Sequence, residues 1–392
     1  MTHPLEPMLR PNSVAIIGAS NTASRIGGRP INSMKTLGYK GDIYPVNPNY
    51  ETIQDLPAYA SMQDVPQGID CAVIAVPAKI AVQALKDCVD RGVKSAVMFT
   101  SGFAELDASG AKAQLEISGI ARESGMRIIG PNCLGVFNVD AAWYGTFTNA
   151  PGMLKVPSGP IGIVSQSGAY GAHVFMVSQL RGVGSNYWVT TGNESDVDVA
   201  EVIEYYAQAP DVKVILAYAE GMKNRDRICQ ALEMARDAKK PVIFMKVGKT
   251  DVGAIAAASH TASLAGADAV YDALFKQYGV YRADTTEELV DVAYGCQFGK
   301  FPRGNKVDLQ TISGGVGVQM ADASVKYGLE VTPLPAATQK KLKELIPFAG
   351  VNNPVDFTAM ALNDPTLMEK NISLTVDEAD FDSHIIYLAS RL

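Results

Sequence analysis

The chain has 392 residues, room for two or three domains, and 47% hydrophobic against 19% charged residues supports sizeable cores and argues against disorder. A formal net charge of −7 speaks against a nucleic-acid partner, so any anionic ligand has to be held by local groups. The five cysteines (Cys71, Cys88, Cys133, Cys229 and Cys296) form no CxxC pair, so neither a metal site nor a disulfide framework is expected. No apolar run has the form of a signal core or the length of a membrane span, which predicts a cytoplasmic protein that does not engage membranes.

Residues 1 to 12 are a Pro-containing lead-in. Ser13 to Ile17 reads as a short strand ending in Gly18-Ala-Ser20, and a polar loop from Asn21 to Arg29 leads into a helix reaching about Leu37. Further strands are expected at Asp42 to Val46, Asp70 to Val76, Ser95 to Phe99 and Arg127 to Ile129, the last ending in Gly130-Pro-Asn-Cys133. Helices are expected at Lys79 to Val89 and Leu115 to Glu123. This alternation predicts a parallel, Rossmann-like sheet over residues 1–150. The dinucleotide fingerprint is poor. Gly18-Ala-Ser20 lacks the GxGxxG spacing, and Val46-Asn47-Pro48 stands where an NAD enzyme carries an acid for the ribose. A nucleotide-like ligand fits this pattern and NAD does not. Arg25 and Arg29 either meet its phosphates or are solvated surface charges.

Residues 139 to 160, rich in Gly, Pro and aromatics, read as a connector. The second domain, 151–302, has predicted strands at Ile161 to Val164, Tyr187 to Thr190, Val212 to Ala219 and Pro241 to Val247. Its predicted helices are Ala172 to Leu180, Val197 to Ala207, Arg227 to Ala238, Ala267 to Gln277 and Glu287 to Phe298, which makes a flavodoxin-like parallel sheet. A polar link, Lys300 to Asn305, introduces a third domain, 303–392, of the same class. It shows a strand at Val307 to Ile312, a helix to about Lys326, a further strand and helix, a turn at Asn352 to Asp356 and a strand at His384 to Ala389. About three strands can be placed where a doubly wound sheet has about five. The domain therefore reads as incomplete, and the chain as the N-terminal part of a longer one.

Two turns share one pattern. Ser165-Gln-Ser-Gly168 and Ser313-Gly-Gly315 each follow an apolar strand and open a helix, which offers an anion free N–H groups and about half a positive charge. Between them in sequence lies AIAAASHTASLAGAD, Ala254 to Asp268, whose only bulky residues are Ile255 and Leu264. A single loop histidine ordinarily has no role. With two anion-binding turns in the same chain, His260 reads as a nucleophile that carries a phosphoryl group between two helix N-termini. Glu220 follows directly on a strand; it either orients that imidazole and raises its basicity or is a solvent-facing acid. Trp143, Tyr144 and Phe147 fall within five positions of the connector; they either receive an apolar or aromatic acid or only pack the domains together.

Taken together, SVAIIGAS, YPVNPNY, GPNCLG, VSQSGAYG, AEG, SHTASLAG, SGGVG and NNPVD resemble the nucleoside-diphosphate-forming acyl-CoA synthetases, relatives of succinyl-CoA synthetase, from about Ser13 to the end. The resemblance implies a first domain that binds coenzyme A, with candidate contacts at Gly18, Ser20, Asn21, Arg25, Val46, Asn47, Pro48, Val76, Pro77, Asn132 and Cys133. It implies that His260 is phosphorylated and that Glu220 stabilises the phosphohistidine. Ser165, Gln166, Ser167, Gly168, Ser313, Gly314 and Gly315 then hold the phosphate. The implied reaction turns a carboxylic acid, ATP and coenzyme A into acyl-CoA, ADP and phosphate through an acyl phosphate, with Mg²⁺ accompanying ATP. The acid suggested by the three aromatics is of hydroxycinnamate type. An ATP-grasp module, which no segment here resembles, is expected on a longer chain or a β subunit, in a homodimer or a heterotetramer. Asn49 stands where the family often has Lys, and Ala262 replaces the Gly of SHTGSLAG. Two other classes stay open: a coenzyme-A-binding regulatory or scaffold subunit without turnover, and a nicotinamide oxidoreductase, which the missing acid after the second strand weakens.

Overall fold

A computed structural model describes residues 3–153, 158–250, 252–253, 268–358 and 364–388. The chain divides into two compact units, Met1–Gly299 and Lys300–Leu392.

Unit 1 begins with α1 (Glu6–Leu9), β1 (Ser13–Ile17), α2 (Arg29–Leu37), β2 (Asp42–Val46) and a small hairpin, β3 (Thr52–Ile53) and β4 (Leu56–Pro57). It continues with β5 (Cys71–Ile74), α3 (Ala78–Asp90), β6 (Ser95–Met98), α4 (Ala108–Ser124) and β7 (Arg127–Ile129). Five of these strands form a parallel sheet in the order β2-β1-β5-β6-β7. The central strands are buried along their length, so they read as continuous apolar runs instead of alternating ones. The chain builds outward in both directions from β1, and the loops after β1 and β5 part there to leave a crevice at the carboxyl ends. α4 starts seven residues before the expected Leu115. Asp107 caps it by accepting from the Gly110 N–H at 2.8 Å, and the small residues that follow carry no periodic signal.

The second sheet of unit 1 uses β8 (Gly135–Asn138), β9 (Trp143–Thr146), β10 (Ile161–Ser165), β11 (Ser185–Thr190), β12 (Val214–Ala219), β13 (Val242–Lys246) and β14 (Tyr281–Arg282). Its helices are α5 (Ala150–Met153), α6 (Gly168–Leu180), α7 (Val199–Gln208), α8 (Arg225–Asp237), α9 (Asp268–Tyr278) and α10 (Thr286–Cys296). The order is β14-β13-β12-β10-β11-β8-β9; β10 to β14 are parallel, and the β8–β9 hairpin adds two antiparallel strands at one edge.

This hairpin corrects the connector reading. Part of residues 139 to 160 is strand because Gly145 leaves room for the Trp143 ring, which a Cβ there would meet at 2.4 Å. The Trp143 indole N–H donates to the Met8 carbonyl at 2.9 Å, and Phe137 on β8 stacks on Trp188 with ring centroids 4.9 Å apart.

Unit 2 contains β15 (Val307–Thr311), α11 (Gly314–Lys326), α12 (Ala336–Leu345), β16 (Gly350–Val351), β17 (Val355–Asp356), α13 (Pro365–Glu378) and β18 (Ser383–Tyr387). Its sheet runs β16-β17-β15-β18, with β15 parallel to both neighbours. Four strands are present among the described residues where about three were expected. β15 and β18 match expected strands, the further strand expected after Lys326 is only a bridge between Lys306 and Glu330, and the unexpected pair is the two-residue β16 and β17, too short to show a period.

Candidate functional site

α6 begins at Gly168, four residues ahead of the expected Ala172. Ser167, in extended conformation, accepts the Tyr170 N–H on its hydroxyl at 3.4 Å and so caps the helix. The Ser165 hydroxyl donates to the Ser167 carbonyl at 2.6 Å. Gly168 is required by close packing, since a Cβ there would lie 2.7 Å from Leu134. Ser167, Gly168 and Ala169 line a cleft of about 300 Å³, and Glu220 and Phe147 line it too. The N-terminus of a 13-residue helix thus sits beside a carboxylate in one cavity, an arrangement able to hold an anion and a basic group together.

Gln166 departs from the expectation that it meets phosphate, because its polar groups are already committed. Its backbone N–H donates to the Tyr218 carbonyl at 3.0 Å. Its side-chain amide donates to Glu194 Oε2 at 2.8 Å and to the Gly221 carbonyl at 2.9 Å. Its amide oxygen accepts the N–H of Glu220 at 2.7 Å and of Gly221 at 3.3 Å. Gln166 therefore ties together the loops that follow β10, β11 and β12. Glu220, one residue beyond β12 and buried, is presented by that clasp.

Glu194 is a residue that sequence reading passed over. It stands at φ 54° in the left-handed region, uncommon for a side chain of this kind. Its carboxyl accepts from the Thr191 hydroxyl at 2.9 Å and the Val199 N–H at 3.1 Å as well as from Gln166. Burial pushes its pKa up to about 7, while Lys223 and the Gln166 bond pull the other way. Lys246 was also missed. It ends the apolar strand β13, in register beside Ala219, and is fully buried. Its ammonium donates to the Val247 carbonyl and lies 4.5 Å from the centre of the Tyr271 ring. Burial lowers its pKa, with Asp268 opposing and Arg282 reinforcing the shift. The available signal was a lysine closing the run Val-Ile-Phe-Met.

The crevice of the first sheet is shaped by glycines that admit no side chain. Gly18 has φ 84°, and a Cβ on it would meet the Ala75 carbonyl at 2.5 Å; one on Gly27 would meet the Gly18 carbonyl at 2.0 Å. The Val46 carbonyl accepts the N–H groups of Gly18 and Ala19, and the Asn47 amide donates to the Ala19 carbonyl at 2.8 Å. Ser20 accepts the Thr22 N–H at 3.1 Å and Asn21 accepts the Gln54 N–H at 2.7 Å. Arg25 is exposed, as is Pro48. Arg29 is committed elsewhere: its guanidinium donates to the Phe147 carbonyl at 2.9 Å and the Ser24 carbonyl at 3.2 Å. Val76 and Pro77 line a second cleft of about 330 Å³. Both clefts include Ile26, Phe99 and Ser101, so they adjoin, and one crevice leads from Val76 and Pro77 to Ser167. It suits a long ligand, anionic at one end and apolar along its arm.

Two cofactor candidates, Asn132 and Cys133, line the Ser167 cleft and also make bonds that hold its walls. Asn132 (φ 59°) is exposed and donates to the Asn193 side chain at 3.2 Å, joining the loop after β7 to that after β11. Cys133 is buried, donates to the Met98 carbonyl at 3.2 Å, and burial pushes its thiol up to about 12, so it is a neutral floor of the cleft. Of the three aromatics, Phe147 alone lines the cleft, with its ring edge-on to Phe99 at 4.9 Å. Trp143 and Tyr144 are buried in the β8–β9 packing, which removes them from the substrate set.

In unit 2 the Ser313 side chain makes no cap bond. The Thr311 hydroxyl serves this turn, accepting the Ser313 N–H and donating to the Ser313 carbonyl, both at 3.0 Å. Gly314 and Gly315 are exposed. A Cβ on Gly314 would come within 3.1 Å of Asp356 Oδ2. His260, with Thr261 and Ser263, lies outside the described residues.

Three family models match in succession: a CoA binding domain over residues 12–138, a succinyl-CoA ligase like flavodoxin domain over 158–295, and a ligase-CoA domain over 307–389. The chain is 38% identical over 358 residues to acetate–CoA ligase [ADP-forming] II subunit alpha of Pyrococcus furiosus, covering 91% of this chain and 77% of that one. It is 34% identical over 380 residues to trans-feruloyl-CoA synthase FCS1 from an unknown prokaryotic organism, covering 95% of this chain and 53% of that one, so it spans about half of that relative's length. A solved structure of dinucleotide forming acetyl-coenzyme A synthetase 1 of Ca. Korarchaeum cryptofilum, in complex with phosphate and ADP, superposes with a TM-score of 0.86 at 30% identity, covering 97% of this chain and 88% of that one.

Proposed function

The chain belongs to the nucleoside-diphosphate-forming acyl-CoA synthetases, a family of acid–CoA ligases, and from that premise we propose that it is the acyl-transferring part of an ADP-forming ligase. The observation that carries the reading is the capped N-terminus of α6 beside Glu220, at the end of a crevice that also runs past Val76 and Pro77. Coenzyme A is assigned to that crevice, with its pyrophosphate near the Gly18 to Gly28 backbone and exposed Arg25, and its arm along Val76, Pro77 and Phe99.

In this reading His260 carries the phosphoryl group and Glu220 holds the imidazole. The substrate carboxylate attacks phosphorus, the N–P bond breaks, and neutral imidazole leaves an acyl phosphate behind. The coenzyme A sulfur then attacks the acyl carbon and expels phosphate, with the thiol proton leaving on it. Phosphate is dianionic, so the N–H groups opening α6 supply fixed stabilisation without reorganising. Ser313 to Gly315 is a second phosphate station, presented by unit 2. ATP enters through an ATP-grasp module on a longer chain or a second subunit, and Mg²⁺ comes with it. Among the described residues no group of three or more His, Cys, Asp or Glu is placed to hold a metal ion. No helix among them is long and apolar enough to cross a membrane; a cytoplasmic setting belongs to the same proposal. The acid lies against Phe99 and Phe147, an edge-on pair that supports an aromatic substrate of hydroxycinnamate type.

Microscopic reversibility provides the test without the ATP-grasp module. Acyl-CoA and radiolabelled inorganic phosphate should give an acid-labile phosphohistidine that mass spectrometry at neutral pH places on His260. His260→Ala should take no label. Full labelling of that variant would remove His260 from the mechanism, and a wild-type chain that binds coenzyme A but takes no label is a scaffold subunit.

A further inference from the structure

We infer that Glu194 is a positioning residue for Glu220, acting through the side chain of Gln166. The inference rests on the reading of Glu220 as the acid that holds the phosphorylated histidine. Nothing in the sequence pairs these three residues. They come from loops after three different strands, β10, β11 and β12, which meet at the carboxyl edge of the sheet.

The bonds have a direction. An amide presents donors on nitrogen and an acceptor on oxygen, so its orientation follows from what faces it. Ionised Glu194 offers acceptors only. Its Oε1 is taken by the Thr191 hydroxyl at 2.9 Å and the Val199 N–H at 3.1 Å, and its Oε2 takes the Gln166 amide N–H at 2.8 Å. The same Gln166 nitrogen meets the Gly221 carbonyl at 2.9 Å. With the nitrogen fixed on that side, the amide oxygen is left facing the N–H groups of Glu220 at 2.7 Å and Gly221 at 3.3 Å. The backbone that bears Glu220 is therefore held by a chain of bonds that begins at the Glu194 carboxylate.

The charged groups around Glu194 are Lys223, from the loop after β12, and Asp198, which caps α7 on its own loop. Lys223 donates to the carbonyls of Asn193 at 2.7 Å and Glu194 at 3.3 Å. Protonating Glu194 turns one acceptor into a donor among neighbours that already donate, and that weakens the hold on Gln166. With a pKa pushed up to about 7 by burial, this change falls inside the ordinary working range of pH.

The experiment uses the full chain and two readouts. Residue-resolved amide exchange follows the Glu220 and Gly221 N–H groups, with the interior of β12 as reference. Glu194→Gln should speed exchange of those two amides about tenfold while β12 stays protected. The rate of His260 labelling from acyl-CoA and phosphate should fall about tenfold, in keeping with the cost of losing an outer-layer partner, with the coenzyme A Kd unchanged. The acid limb of the labelling rate near pH 7 should vanish in the variant. Unchanged exchange at Glu220 and Gly221, or a pH profile identical to wild type, overturns the inference. Glu220→Gln is run beside it. If labelling survives Glu220→Gln, the reading of Glu220 itself fails. If Glu220→Gln loses labelling and Glu194→Gln does not, this inference alone fails. The wild-type chain gives the same answer without substitution: protection of the two amides, corrected for intrinsic rate, should drop as pH falls below 7, and flat protection contradicts the inference.

Discussion

The turns at Ser165 to Gly168 and at Ser313 to Gly315 follow one sequence pattern and are built in opposite ways. In the first, the serine before the helix caps it, and Gln166 is locked against the loops after β11 and β12. In the second, the cap position makes no side-chain bond, Thr311 at the strand end serves the turn, and both glycines are exposed, Gly314 beside Asp356. A strand, a Ser/Gly turn and a helix thus specify a place where an anion can be met. What surrounds the turn decides how firmly that place is held. The first turn is supported from two other loops, and the second from its own strand and the Asn352 to Asp356 segment.

The largest effect should come from cutting that support. Gln166→Ala leaves Glu194 Oε2, the Glu220 N–H and the Gly221 carbonyl without their partner in a buried setting, at a cost of roughly 3–5 kcal/mol. The corresponding insult to the second turn is Gly314→Ala. There the new methyl meets only a carboxylate tip at 3.1 Å, and the cost should stay below about 1 kcal/mol. Both tryptophans, Trp143 and Trp188, lie in unit 1, so denaturation followed by tryptophan emission reads the first variant in the unit that holds it. Equal losses in the two variants would mean that the turns are not differently supported.

A smaller effect separates the turns by pH. Glu194 has a raised folded-state pKa, so between its unfolded value near 4.5 and about 7 the folded chain binds a proton that the unfolded chain does not. Its contribution favours the folded state at pH 4.5 and is lost as pH rises to 7, over a span worth at most roughly 3 kcal/mol. Between pH 5 and pH 8, wild type should lose several degrees more in the unit 1 transition than Glu194→Gln does. Groups elsewhere cancel in that difference. Identical pH slopes for the two proteins would show that Glu194 titrates as an ordinary acid.

The sequence made the Rossmann-like sheet legible because β1, β5 and β6 are buried on both faces and must be apolar throughout. Both turns were legible for a related reason: a strand must end and a helix must start within three residues. The β8–β9 hairpin was not. Its Gly145 and aromatics look like linker composition, and they make sense only once Trp143 reaches Met8, 135 residues away in sequence. The Gln166–Glu194 clasp was hidden likewise, since each residue alone is an unremarkable polar loop residue and the fold joins them across 28 positions. Lys246 left only a faint mark, one charge at the end of an apolar run. The site's turns were visible as local chemistry, whereas what positions them depends on contacts that sequence spacing does not encode.

The smallest expected effect isolates the caps themselves. The Ser167 hydroxyl accepts from the Tyr170 N–H, one of the donors that the first turn of a helix leaves unpaired; Ser313 does nothing equivalent for α11. Losing a serine cap costs about 1 kcal/mol, and the 3.4 Å separation at Ser167 puts the expected loss for Ser167→Ala at or a little below that figure. Ser313→Ala removes no cap bond, so its loss should stay within about 0.5 kcal/mol, the range of an ordinary surface change. Tryptophan emission measures the first, and amide exchange along Gly314–Lys326 measures the second in its own unit. If Ser313→Ala proves the costlier of the two, its hydroxyl has a partner in solution that the free chain does not display, and the second turn is better built than its exposed glycines suggest.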